Sequence, residues 1–431
     1  MSKRQLKVLS VSTSDSSGGA ARAAFRIHLA VRNLGIDSRM FVKQKGTDDP
    51  NVLIVEDFIP HNALYRMFDW MRNKAKNKWQ YWQWNKYPDR KDAFLSDLRS
   101  TDIGNALQKI DFDILHLHWV NLRFLPLDSL PKDKPIVWTL HDSWPYCGVC
   151  HYSLDCNRYQ MECGCCPMLG SSKANDLSHS IWLRKSKLYK GLDLHIVTPS
   201  RWLGECAKKS SLLRQFPISV IPNGLNIDVF RPFDETEIST TWRFFKENTP
   251  PKDYLLFGAL NATSDKVKGF EKLISALHKL EKEGRSRAIE LIVFGSDKPI
   301  EKYPTSIPIH YVGYISNDHD LASLYNIASV MVVPSLSEVF CQTASEALAC
   351  GTPVVSFRCT GLLDVVDHNL NGYLADPFDT DDLAAGIIWC LDHNQDGALS
   401  IHARNKATSR FSTSVVGQEY AALFTALSKR H

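Results

Sequence analysis

The chain has 431 residues, more than one hydrophobic core usually organises, so two domains of roughly 200 residues are expected. Hydrophobic residues at 44% and charged residues at 23% are ordinary for a globular enzyme, and a net charge of +4 is too small to drive nucleic-acid binding, which sets that class of partner aside. No segment approaches the roughly 20 apolar residues that a membrane span requires. In chain order, Leu6–Val11 is a short apolar run after basic residues, and it reads as a first strand rather than the core of a signal peptide. The expected location is the cytoplasm. Polar residues and Gly18-Gly19 follow, and Ala20–Leu34 then carries apolar residues at helical spacing until Gly35.

Further short apolar runs lie at Asp113–His118, Pro135–Leu140, Leu194–Pro199 and Ile218–Pro222. After the turn Pro222-Asn223-Gly224 the pattern restarts with Tyr254–Leu260, Glu290–Gly295, Ile309–Tyr314, Val330–Ser335 and Thr352–Phe357. Short apolar strands separated by helical stretches imply parallel sheets covered on both faces. The expected architecture is α/β, with one Rossmann-like domain over 1–228 and a second over 229–412. A last helix, Thr413–Ser428 within the tail 413–431, is expected to pack back on the first domain.

Residues 60–100 interrupt the alternation, with Trp, Tyr and Phe interleaved among Lys and Arg. One reading is an amphipathic helical insertion covering the first domain. The other is a peripheral lip that rests on anionic lipid at the inner membrane face, or holds a lipid-linked acceptor.

The segment Val330–Val355 is the most informative. A strand ends at Pro334, polar Ser335–Ser337 turn the chain, and a helix-forming run through Ala344, Glu346, Ala347 and Leu348 ends at Gly351 and Pro353. In an open parallel sheet this loop and helix N-terminus lie at the carboxyl end of a strand, where ligands bind. Backbone N–H groups around Phe340, Cys341, Gln342 and Thr343 would then offer a diphosphate site. Glu338 and Glu346 carry the wrong sign for phosphate and suit sugar or ribose hydroxyls; the alternative is two solvated glutamates on a capped helix.

The Glu338-x7-Glu346 pair resembles the signature of the retaining glycosyltransferases of family four, which have the GT-B fold, two Rossmann-like domains facing each other across a cleft. The resemblance extends through Gly18-Gly19-Ala20, His116-Leu-His118-Trp119, Thr139-Leu-His141-Asp142, Pro199-Ser-Arg201-Trp202, Ile221-Pro-Asn223-Gly224, Lys268-Gly269 and Asn371-Gly372-Tyr373. It implies that Glu346 binds the ribose hydroxyls, Glu338 the transferred sugar and Lys268 the diphosphate. It also puts His118 beside the reacting carbon and Gly19 in the first ligand-binding loop. The catalytic set is then His118, Lys268 and Glu338.

Chemistry agrees with those roles. Breaking an anomeric C–O bond leaves negative charge on the departing phosphate, so fixed donors such as Lys268 should carry the catalysis. Without the resemblance Lys268 reads as a surface lysine and His118 as a hydrogen-bonded core histidine. His116, on the same strand face, reads as structural, and His141 as able to meet the acceptor. Two departures stand out: Gly258-Ala259-Leu260 lacks the arginine that often partners the phosphate lysine, and Thr360-Gly361-Leu362-Leu363-Asp364 replaces a double-glycine loop with a glutamate. Lys266 or the helix N-terminus would supply the second positive contact. Asp111-Phe-Asp113 mimics a metal-binding carboxylate pair but precedes a strand at its amino end, so no catalytic metal is expected.

Six of the eleven cysteines fall within Cys147–Cys166. Thiolates so spaced can hold zinc, while a reducing compartment disfavours disulfides. The run is similar to that of colanic-acid-type and other polysaccharide transferases with cysteines after the Thr-Leu-His-Asp motif. Cys150, Cys156, Cys163 and Cys166 are the preferred zinc ligands, with Cys147 and Cys165 supernumerary; a disulfide-linked or unligated loop is the alternative. The function expected from all this is hexosyl transfer from a nucleotide-diphosphate sugar to a lipid-linked or oligosaccharide acceptor in surface polysaccharide synthesis. An epimerase or a phosphorylase of the same architecture is a second enzyme class; a phosphorylase would need a pyridoxal-binding lysine motif, which is not found. A non-catalytic sugar-nucleotide-binding or scaffold protein is the competing class, and would be expected to lose the acidic pair or the phosphate lysine.

Overall fold

The computed structural model describes residues 4–430 except 59–66, 68–70, 72–73, 75–77, 79–81, 84, 92–105, 122–123, 248–251, 286–287 and 300–302. The aromatic and basic stretch at 60–100 therefore lies largely outside the described residues. The chain divides into two units, Met1–Ile221 with Gly417–His431, and Pro222–Val416.

The first unit holds seven strands: β1 (Lys7–Ser14), β2 (Asp37–Gln44), β3 (Val52–Ile54), β4 (Ile114–Leu117), β5 (Ile136–Thr139), β6 (Leu194–Thr198) and β7 (Ile218–Val220). They pair in parallel in the order β3-β2-β1-β4-β5-β6-β7. The central strands β4 and β5 are buried at every residue, as continuous apolar runs in a two-sided parallel sheet should be. The helix α1 (Gly18–Asn33) crosses from β1 to β2 and buries Ala21, Ala24, Ile27 and Val31, a stripe at intervals of three and four. The tail helix Thr413–Ser428 buries Val416, Tyr420, Phe424 and Leu427. Within the first unit a Cβ on its Gly417 would stand 2.9 Å from Ala30 Cβ, so glycine lets the tail approach α1 closely.

The second unit holds β8 (Asp253–Gly258), β9 (Ile289–Phe294), β10 (Ile309–Gly313), β11 (Val330–Val333), β12 (Val354–Phe357) and β13 (Gly372–Ala375), all parallel in the order β10-β9-β8-β11-β12-β13. Gly372 is required at the start of β13: a Cβ there would meet the Val354 carbonyl oxygen at 1.9 Å. Both sheets have the same Rossmann-like strand order, and each reverses direction once, between β1 and β4 and between β8 and β11. At such a switch point the crossovers leave in opposite directions, opening a crevice at the carboxyl ends of the strands where ligands bind. Among the described residues no helix is long and apolar enough to cross a membrane.

Candidate active site

At the carboxyl end of the first sheet, β1 leads into Gly18, whose φ of 83° lies in the left-handed region, and Gly19 is exposed on the first turn of α1. Asp15, buried between them and the strand, accepts hydrogen bonds from Gly46 N–H at 2.7 Å and from Thr47 N–H and hydroxyl at 3.0 and 2.6 Å. That carboxylate clamps the glycine loop to the loop after β2.

The histidines of β4 and its exit form a buried cluster. His116 shares a 2.8 Å hydrogen bond with Thr139 Oγ1, which in turn meets the Tyr420 hydroxyl at 2.9 Å, so His116 is built into the packing of the tail helix. His118 Nδ1 and His141 Nε2 share a hydrogen bond at 3.0 Å, and the two rings stack. Burial pushes His116 down to about 3 and His141 to about 4, and holds His118 well below its ordinary value, with His116 and His141 adding repulsion. His28 on α1, bonded to Ser38 Oγ at 2.8 Å, is lowered to about 4 by burial and by Arg32. All four imidazoles are therefore neutral at pH 7. His118 Nε2 has no hydrogen-bond partner among the described residues.

Asp142, next to His141, accepts from Trp119 Nε1 at 2.7 Å, Trp144 N–H at 2.9 Å and Asn121 at 3.4 Å, and pairs with His151 at 2.8 Å. It ties the exits of β4 and β5 to the cysteine loop. Asp111 and Asp113 sit at the amino end of β4, paired with Lys7 and Arg4.

In the second unit the loops after β8 and β11 meet at the switch point. Asp265 caps the short turn Lys266–Lys268 through Val267 N–H at 2.9 Å, and Gly269 closes it with φ 74°. A Cβ on Gly269 would stand 2.0 Å from the Pro334 carbonyl oxygen, and Leu336 N–H donates to Val267 O at 2.8 Å. The lysine turn is thus fixed to the loop that bears Glu338. Glu338 is held in turn by Thr360 Oγ1, which accepts from its N–H at 3.0 Å, and by Gly361 N–H, which donates to its carbonyl at 2.8 Å. Lys268 Nζ and Glu338 Oε1 come together at 2.8 Å, with side chains 17% and 12% exposed. The sequence pointed to Lys268 and Glu338 but not to Thr360-Gly361 as their support, because that support is backbone bonding across sequence-distant loops.

Helix α6, Gln342–Ala349 in the second unit, starts just beyond Glu338 at Cys341, whose φ of 74° is unusual for a residue with a side chain. Its first N–H groups have no intrahelical acceptor, which is the basis of anion binding at a helix start. Phe340 is buried against Phe411, so only its backbone is on offer to a ligand. The Cys341 thiol, raised to about 12 by burial and by Glu338, stays uncharged and adds no repulsion to a phosphate. Glu346 is 2% exposed and accepts from the Tyr325 hydroxyl at 3.1 Å.

Residues 17–229 match the family model described as Glycosyltransferase Family 4, and residues 240–408 match Glycosyl transferases group 1. The chain belongs to the family-four glycosyltransferases. Gly19, His118 and His141 lie in the first matched region, and Lys268, Glu338 and Glu346 in the second. Mannosylfructose-phosphate synthase of Agrobacterium fabrum is 29% identical over 55% of the chain and 53% of its own length. The putative colanic acid biosynthesis glycosyl transferase WcaC of Escherichia coli is 22% identical over 60% of the chain and 62% of its own length. The matched regions thus span between half and two thirds of these curated relatives. Among solved structures, sucrose-phosphate synthase of Thermosynechococcus elongatus aligns over 99% of this chain and 100% of its own with a TM-score of 0.65 at 18% identity. Anabaena HepE, solved with UDP and glucose, aligns over 98% and 100% with a TM-score of 0.66 at 16% identity. The family-four chain shares their GT-B fold of two Rossmann-like units.

Proposed function

We propose that the chain is a retaining hexosyltransferase that takes a glycosyl group from a nucleotide-diphosphate sugar and passes it to a lipid-linked or oligosaccharide acceptor in surface polysaccharide synthesis. The observation that carries the reading is the Lys268–Glu338 pair at 2.8 Å, fixed at the switch point of the second sheet beside the start of α6. In this reading the diphosphate takes Lys268 Nζ and the N–H groups of Phe340, Cys341, Gln342 and Thr343. Glu338, released from the lysine, accepts from a hydroxyl of the sugar, and Glu346, on the same helix, accepts from the ribose. Gly19 contributes backbone at the first glycine loop.

His118 serves the sugar. The bond to the anomeric carbon breaks with positive charge growing on the sugar, and an imidazolium beside it would oppose that charge. A buried neutral imidazole does not, and its Nε2, buried and without a partner among the described residues, would gain one from a sugar hydroxyl that reached it. Phosphate stabilisation rests on Lys268 and the backbone. UDP-sugars are the first donors to test because HepE was solved with UDP, and a polysaccharide acceptor is the class that WcaC's name suggests.

Thermal unfolding with a panel of nucleotide-diphosphate sugars, followed by assay of nucleoside diphosphate release, tests the proposal. A donor present at 100 times its Kd should add about 2.7 kcal/mol to the stability of the native state. The same donor should be slowly turned over. Stabilisation with no release under any acceptor condition would favour a sugar-nucleotide-binding protein, and no stabilisation by any donor would overturn the reading.

A further inference from the structure

The cysteine loop contains two Cys-x-x-Cys pairs, Cys147/Cys150 and Cys163/Cys166, separated by 12 residues. Their four thiols are 2%, 5%, 8% and 4% exposed, and all four line one cavity. All four cysteines are free, and Gly148 N–H donates to Cys163 Sγ at 3.2 Å. Cys156 also lines the cavity but is part-exposed and belongs to neither pair. Cys165, with φ 45°, donates its thiol to Ser172 O.

Both pairs are pinned to one helix, α2 (Leu177–Tyr189). A Cβ on Gly148 would meet the Ser178 carbonyl at 2.3 Å, and one on Gly164 the Ala174 carbonyl at 2.1 Å, so each pair turns hard against that helix or the residues leading into it. Asp176, its N-cap, accepts from both His179 N–H at 3.1 Å and Cys166 N–H at 2.9 Å.

The same helix places a buried lysine side chain beside the thiols. Lys185 Nζ donates to the carbonyls of Trp144, Cys147 and Gly148 at 2.5, 2.8 and 3.1 Å and lies 3.7 Å from the centre of the Trp144 ring. Among the described ion pairs it has no carboxylate partner.

We propose that Cys147, Cys150, Cys163 and Cys166 form a closed structural zinc site, with Cys156 and Cys165 outside the ligand set. Among the described residues no three such side chains already stand in a metal-holding geometry. Binding therefore draws the four thiols together: four protons leave to solvent and four Zn–S bonds of about 2.3 Å form. The Gly148 N–H on Cys163 becomes the kind of outer contact that orients a ligand. Through His151 and Asp142 the site would brace the exit of β5, where His141 lies.

The full chain, expressed with zinc and purified without chelators, should carry about one zinc per chain by elemental analysis. Cys147→Ser and Cys163→Ser should fall to background, whereas Cys156→Ser should keep its zinc. Background zinc in the wild type, or loss in Cys156→Ser with retention in Cys147→Ser, would overturn the assignment. Should the ligand variants fail to fold, the wild type alone decides: four thiols shielded from a thiol reagent and released by a chelator support the site, and disulfides or equal reactivity with and without chelator contradict it.

Discussion

Replacing Lys268 by alanine is expected to lower kcat by about 10²–10³-fold, the usual cost of losing one donor aimed at developing charge. Its ammonium is held by a tight turn, since Gly269 is pressed on Pro334 and Asp265 caps the turn, so in the proposed reading little beyond the release of Glu338 is needed to bring the charge to the leaving diphosphate. A side chain only 17% exposed also acts through a medium less screening than water. The variant leaves Glu338 without its cation but still in reach of solvent, so it should fold. Lys268→Arg should recover part of the rate by restoring the charge. Wild-type turnover in folded Lys268→Ala, measured with the donor that the screen identifies, would remove the lysine from the mechanism.

The second large effect is on stability against pH. His28, His116 and His141, lowered to about 4, 3 and 4, and His118, lowered well below its ordinary value, are neutral in the folded state, while in the unfolded chain each titrates near 6.5. Between those values the unfolded state binds more protons than the folded one. Stability should therefore be level above pH 7 and fall as the pH drops from 6.5 toward 4, by up to about 1.4 kcal/mol per pH unit for each histidine. Urea midpoints measured from pH 8 to pH 5 check this before most carboxylates titrate. His141→Asn should remove one histidine's share of the slope. Midpoints that stay flat to pH 5 would show that these imidazoles are not buried as neutral groups.

Much of this was legible in the residues because continuous apolar runs are what a doubly covered parallel strand requires. Strands such as β4, β5, β8 and β11 announce themselves, and so does the tail helix with its Val416, Tyr420, Phe424 and Leu427 stripe. Three strands escaped. β2, Asp37–Gln44, has only Met40, Phe41 and Val42 in succession among charged neighbours, and β3 spans only Val52–Ile54. β13 begins at a glycine chosen for close approach to Val354 rather than for strand propensity. Glu338, Lys268 and Glu346 could be singled out because residue type and spacing carry their chemistry. Their supports could not, because Thr360, Gly361, Asp265 and Tyr325 act through folded geometry. In the cysteine loop the two Cys-x-x-Cys pairs were visible in the sequence, but burial was needed to give Cys147 more weight than Cys156.

The central claim, that residues 222–416 hold a nucleoside diphosphate through Lys268, the start of α6 and Glu346, is tested most directly by calorimetric titration with the nucleoside diphosphate of the donor found in the screen. Losing a hydrogen bond to a charged group costs roughly 1.5–3 kcal/mol, about a ten- to hundredfold change in Kd. Glu346→Ala should therefore bind the free nucleoside diphosphate about ten- to hundredfold more weakly than the wild type. Glu346→Gln, which keeps an acceptor for the Tyr325 hydroxyl, should lose less, and Glu338→Ala, whose partner is the sugar, should bind it as the wild type does. Equal affinity in the wild type and in folded Glu346→Ala would contradict the account.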